Sequence, residues 1–161
     1  MLPQFLRIIS TLLVAMLAGL AFAHVLEQPA KMLYDAPHYL ALQRSLYAQS
    51  GPPHIGGFLE PAAIAATGLL AVFIRQDRRA PGFTLGAILA LAPGFPMVFF
   101  WLVARANAVF LASAPNCIPI DWALHRSNWQ TGHAIRFALQ GLALALLILS
   151  LALDATHARD A

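Results

Sequence analysis

Four long apolar stretches alternate with short polar or Pro/Gly-rich breaks along the chain, at about 4–26, 55–75, 82–104 and 131–153. Each is close to the roughly 20 residues that a helix needs to cross about 30 Å of hydrocarbon. The pattern predicts an all-α fold, an integral membrane four-helix bundle forming a single domain over 1–161. Between the first two spans, Asp35-Ala36-Pro37 has the form of a helix start, and Tyr39, Leu42, Leu46 and Tyr47 fall on one side of the turns that follow. This predicts a short extramembrane helix between helices 1 and 2, lying along the membrane surface with its tyrosines at headgroup level. Pro93-Gly94-Phe95-Pro96 falls near the middle of the third span, where two missing backbone donors predict a kink or break.

Composition agrees with the pattern. Hydrophobic residues make up 60% of the chain and charged residues 11%, too little polar surface to keep four apolar helices dispersed in water. The net charge of +3 is spread over scattered basic residues, so nucleic acid has no patch to bind. A lone Cys117 allows neither an intramolecular disulfide nor a cysteine metal cluster, and any metal must rest on His and carboxylate. Arg7, the apolar run from Ile8 and Ala21-Phe22-Ala23 would together suit a signal peptidase. The segment reads instead as a retained first helix, because Ala15, Gly19 and Ala23 recur every fourth residue and let a neighbouring helix approach. The short Arg75-Gln76-Asp77-Arg78-Arg79 connection places itself, and hence both termini, in the cytoplasm by the positive-inside tendency.

Candidate chemistry emerges from depth. Up-and-down helices bring His24 and Glu27, Glu60, Arg105 and Asn107, and His133 and Arg136 to one end of the bundle. His24 and Glu27 lie about 60° apart around a helix and can address one partner. Trp129, His133, Arg136 and Gln140 form one narrow stripe at offsets of four, three and four, extended by Trp122 and Arg126 if the helix starts near Asp121. Lipid offers such a stripe no partners, so it must face the bundle interior. Ion pairs from Glu27 to Lys31 and from Glu60 to Arg136 would satisfy these charges without chemistry; as a set, the residues favour a functional site. His24, Glu27, Glu60 and His133 are acceptable ligands for a divalent transition metal such as iron, copper or zinc. A haem between His24 and His133 is a weaker alternative, and a cofactor-free site is also open. His38, His54, His125 and His157 read as surface residues. The inner halves of the helices look nearly uncharged, which disfavours a small transporter or proton relay. A structural subunit, a homo-oligomer or a subunit of a larger membrane partner remains an alternative.

Several blocks in order resemble a known family. His24-Val-Leu-Glu27-Gln-Pro29-Ala-Lys31, Tyr39 through Tyr47, Leu59-Glu60, Asn107, Asp121-Trp122, Trp129 and Gly132-His133-Ala134-Ile135-Arg136 resemble the small bacterial and fungal anthrone-oxygenase-like membrane proteins. The resemblance covers nearly the whole chain. It implies a membrane-embedded oxidoreductase, an oxygenase using dioxygen on a hydrophobic small molecule that enters from the membrane or its outer face. It further implies a site of His24, Glu27, Asn107, His133 and Arg136 walled by Trp122 and Trp129, in a bacterial inner membrane.

Overall fold

The computed structural model describes residues 2–50, 52–75, 80–114 and 117–157. Residues 76–79, most of the basic connection used above for orientation, lie outside the described residues, as does the side chain of His157. The chain is helical from α1 (Leu2–Lys31) through α2 (Ala36–Leu42), α3 (Pro52–Phe73), α4 (Ala80–Pro93), α5 (Ala104–Ala112) and α6 (Trp122–His157). Four helices are long and apolar enough to cross a membrane: Leu2–Lys31, His54–Phe73, Pro81–Ala112 and Trp122–Leu153. They form a ring in which α1 packs on α3 and α6, and α4 on α3 and α6. Outward-facing side chains such as Leu12, Met16, Leu89 and Leu142 are largely exposed, as lipid-facing positions should be.

The observed spans are longer than the apolar windows. α1 continues through Glu27 to Lys31, the third span to Ala112, and α6 begins at Trp122. Helix geometry persists there because polar residues at the span ends pair with one another. Asn107, expected beyond the third span, consequently lies within it.

The Pro93–Pro96 region does not break the helix. From Gly94 to Val103 the chain winds as a π-helix, closed by the Ala104 amide donating to the Phe99 carbonyl, and then returns to α geometry in α5. Missing proline amides are absorbed by wider winding instead of an interruption. A second π-helical segment, Gln43–Ser50, follows α2. The expected surface position of the tyrosines is overturned: Tyr39, still in α2, is buried against Phe110 and Trp122, and the π-helical turns bury Tyr47 as well, whereas Leu46 is exposed.

Asp35 caps α2, its carboxylate accepting from the His38 amide, with Pro37 in the first turn. That bond and the His38 ring hold the exposed Asp35 carboxyl below its ordinary range. A lowered folded-state pKa means that the cap helps above the unfolded pKa and fails as pH falls through the folded one. Protection of the His38 amide, its exchange relative to the intrinsic rate at each pH, should therefore persist down through the ordinary carboxylate range and be lost only below it. In Asp35→Ala the protection should be low at every pH; wild-type protection that does not change as the carboxyl titrates would show that Asp35 does not cap α2.

Two apolar clusters sandwich a polar layer. Val14, Leu17, Leu70, Ala87, Leu91, Ala143 and Leu147 fill the end of the bundle nearer the termini, and Tyr39, Tyr47, Val103, Phe110 and Trp129 fill the other. The expectation of nearly uncharged inner halves is corrected at the first of these ends. Arg7 is 2% exposed and donates to the Ser150 carbonyl at 3.2 Å and hydroxyl at 2.7 Å, with the Thr84 hydroxyl 3.2 Å from that of Ser150. Arg7 turns inward because Ser150 of α6 offers it a carbonyl and a hydroxyl, the latter also held by Thr84 of α4, so an apolar inner half no longer disfavours transport.

α6 meets the π-helical part of the third span at Gly132, where a Cβ would sit 2.7 Å from Val103 Cγ2 and 3.1 Å from Leu102 Cβ. Gly132→Ala should destabilise by about 1–3 kcal/mol through overpacking, despite alanine's better helix propensity. Detergent unfolding measures this, and a stabilised variant would show that the two helices slide freely.

Candidate functional site

The α6 stripe turns inward as its spacing requires: Trp129, His133, Arg136 and Gln140 are all buried. α1 brings His24 against it, with ring centroids 4.1 Å from His133 and 4.8 Å from Trp129; Trp129 and His133 are 4.2 Å apart. Tyr47 closes the group 5.1 Å from His24. Four aromatic rings from three elements thus form one cluster of tilted and edge-to-face contacts.

Lys31, also buried, reaches back along α1. Its ammonium lies 2.6 Å from Glu27 Oε2, 3.5 Å from His24 Nδ1, and over the rings of Tyr47 and Trp129 at 4.4 and 4.8 Å. An ammonium only donates, so His24 Nδ1 accepts and the ring proton sits on Nε2. The Tyr47 hydroxyl donates to Glu27 Oε2. Burial first, and then that hydrogen bond, push the Tyr47 phenol upward, so it remains a donor. Glu27 is thereby occupied by Lys31 and Tyr47, 3.8 Å from His24 Nδ1.

Glu60 and Arg136 meet across the ring of helices. The guanidinium donates to Glu60 Oε2 at 2.6 Å, Gln140 donates to Oε1 at 3.3 Å, and Phe99 lies 5.4 Å from the guanidinium carbon. Both ion pairs expected on structural grounds, Glu27–Lys31 and Glu60–Arg136, are present. Asn107 accepts from Trp129 Nε1 at 2.8 Å.

A cavity of ≈ 180 Å³ lies beside this layer, lined by His24, Glu60, Asn107, Trp129, His133 and Arg136 and by apolar residues including Leu17, Leu20, Phe95 and Phe99. His133 Nδ1 and Arg136 Nε are buried there without a hydrogen-bond partner among the described residues. A second cavity of ≈ 300 Å³, lined by Gln43, Tyr47, Ala48 and His54 among others, shares Asn107 with the first.

The expected residues therefore separate by role. His24, Asn107, His133, Arg136 and Trp129 line the cavity; Glu27 and Gln140 stand behind it, each holding a residue of the layer. Trp122 does not wall the cavity: it packs 6.3 Å from Tyr39 with Arg126 4.5 Å over its ring, because α6 has turned it toward α2. Arg105 is exposed and lies over Trp101. His24, Glu27, Glu60 and His133 do not fit a shared metal as a set, since each carboxylate is committed to its own cation, and among the described residues no three His, Cys, Asp or Glu groups converge. His38 and His54 are exposed as expected, and His125 is half-buried against Asp121. Lys31 and Tyr47 enter the site without having been singled out as site residues; the seven-residue spacing of His24 and Lys31, two helical turns, was the available signal.

The fold and site define a four-span membrane bundle with a largely buried layer of paired charges and closely packed histidines beside a cavity. No family model, curated protein or solved structure matches the chain.

Proposed function

We propose that the protein is a membrane-embedded, anthrone-oxygenase-like oxidoreductase that uses dioxygen on a hydrophobic small molecule held in the cavity, with both termini cytoplasmic in a bacterial inner membrane. The observation that carries this reading is His133: it is buried at the cavity wall, and its Nδ1 has no partner among the described residues. A buried polar group without a partner is costly unless a ligand or water uses it.

In this mechanism the substrate is an activated methylene, a carbon that carries two hydrogens between two electron-withdrawing groups. His133 removes one proton, and the carbanion electrons pass to dioxygen as the new C–O bond forms. Loss of the second proton and cleavage of the O–O bond give the ketone, so that one methylene and one dioxygen become one ketone and one water. Arg136 and the Asn107 side-chain amide stabilise the negative charge that develops on oxygen. The Glu60 contact fixes Arg136, and Lys31 fixes the His24 tautomer. The Trp129, Phe95 and Phe99 rings supply apolar walls for a flat ligand.

Oxygen uptake by the purified protein in lipid vesicles, with anthrone as probe, tests the reading. Protein-dependent uptake with one ketone formed per dioxygen is expected; the spontaneous rate alone would overturn it. The two occupied carboxylates favour a second reading, a subunit whose polar layer locks its helices together. It predicts no turnover with any activated methylene.

A further inference from the structure

Gly56 and Gly57 are consecutive glycines inside α3, where glycine is among the poorest helix formers. Close packing does not account for them, because a Cβ at either position would meet no described atom within 4 Å. Both line the ≈ 180 Å³ cavity, opposite Phe95 and Phe99 of the third span. The π-helical segment carrying those phenylalanines packs on α6 but not closely on α3 among the described residues. Gly57 itself is exposed, and so is Phe100, whose ring lies 5.6 and 5.2 Å from those of Phe95 and Phe99. An exposed glycine and an exposed aromatic ring on membrane spans face acyl chains rather than water. Behind this opening, His133 is more than nine-tenths buried at the cavity wall, with no partner for Nδ1 among the described residues.

We infer that Gly56 and Gly57 keep open a sideways window between α3 and the third span, through which a small, uncharged, bilayer-dissolved molecule reaches His133. The glycines then set the size of molecule admitted, since any side chain added there projects into the passage. This rests on the cavity being the ligand site proposed above, but not on the chemistry performed there. The second cavity, which shares Asn107, is the competing route from water.

Trp129 lines the cavity and reports on arrivals once Trp101→Phe and Trp122→Phe remove the other indoles. In vesicles, the quenching constant of Trp129 from fluorescence lifetimes is measured with iodobenzene dissolved in the bilayer and with acrylamide added from water. Iodobenzene quenching should fall in the order Gly57, Gly57→Ala, Gly57→Leu, several-fold at leucine, with acrylamide quenching unchanged. Ala48→Leu, in the second cavity, should leave iodobenzene quenching at its original value. Gly57→Ala adds a single methyl to open space and keeps the comparison readable should leucine perturb the helix. Iodobenzene quenching that is insensitive to residue 57, or lost in Ala48→Leu, would overturn the window while leaving the cavity as a ligand site. Absence of iodobenzene quenching in the parent would overturn both.

Discussion

Glu60→Ala is expected to destabilise the protein by about 3–5 kcal/mol, the usual consequence of leaving one member of a buried ion pair behind. Arg136 is 7% exposed and Glu60 2%, and the 2.6 Å bond between them joins α3 to α6 across the bundle. Without the carboxylate, the guanidinium keeps its charge, retains Phe99 as a neighbour and loses its anionic partner; Gln140 loses its acceptor as well. Glu60→Gln should lie between wild type and alanine, because an amide oxygen can still accept but cannot neutralise. The informative comparison is Glu60→Leu combined with Arg136→Met. Replacing both partners by apolar groups removes the desolvation cost along with the attraction, so the double variant should recover most of the loss. Reversible unfolding in mixed detergent measures all four proteins. A loss of less than about 1 kcal/mol for Glu60→Ala would place the pair in the range of solvated surface bridges, and the buried layer would then not hold the bundle together.

The parts of this site that were legible in the sequence are those governed by a fixed period. At 3.6 residues per turn, Trp129, His133, Arg136 and Gln140 had to share a face, and all four are buried. Alternating helix direction put His24 and Glu60 level with them. Rotation of one helix against another was not legible, and it decides partners: Glu60 turned to Arg136, while Glu27 stayed with Lys31 and Tyr47. Where winding widens, the period itself fails. The π-helical segment at Gln43–Ser50 carried Tyr47 inward, and the one at Gly94–Val103 brought Phe95 and Phe99 to the cavity. Prolines in the sequence announced a disturbance in the third span but not its form. Arg7 read as the charged flank of an N-terminal apolar stretch; only the neighbouring Ser150 and Thr84 hydroxyls, both far away along the chain, reveal why it turns inward.

His133→Phe is expected to lower dioxygen-dependent turnover by about 10²- to 10⁴-fold, the range that a positioned general base contributes, while leaving stability nearly unchanged. Phenylalanine retains a ring between His24 and Trp129, now 4.1 and 4.2 Å from that of His133. The substitution discards two nitrogens that make no hydrogen bond to the described residues, so no protein partner is orphaned, in contrast to Glu60→Ala. That separation makes the experiment decisive between the two functional readings. If the polar layer only locks helices together, His133 is dispensable to it and the variant differs from wild type in neither assay. If His133 is the base, turnover collapses without a change in unfolding. His24→Phe supplies the internal comparison, because its Nδ1 does have a partner: Lys31 would lose the acceptor 3.5 Å away, and stability should fall along with turnover. Oxygen uptake and detergent unfolding on the same preparations give both readouts. Turnover of His133→Phe within about twofold of wild type would exclude a base of the efficiency expected from a positioned imidazole and shift proton removal to another group on the cavity wall.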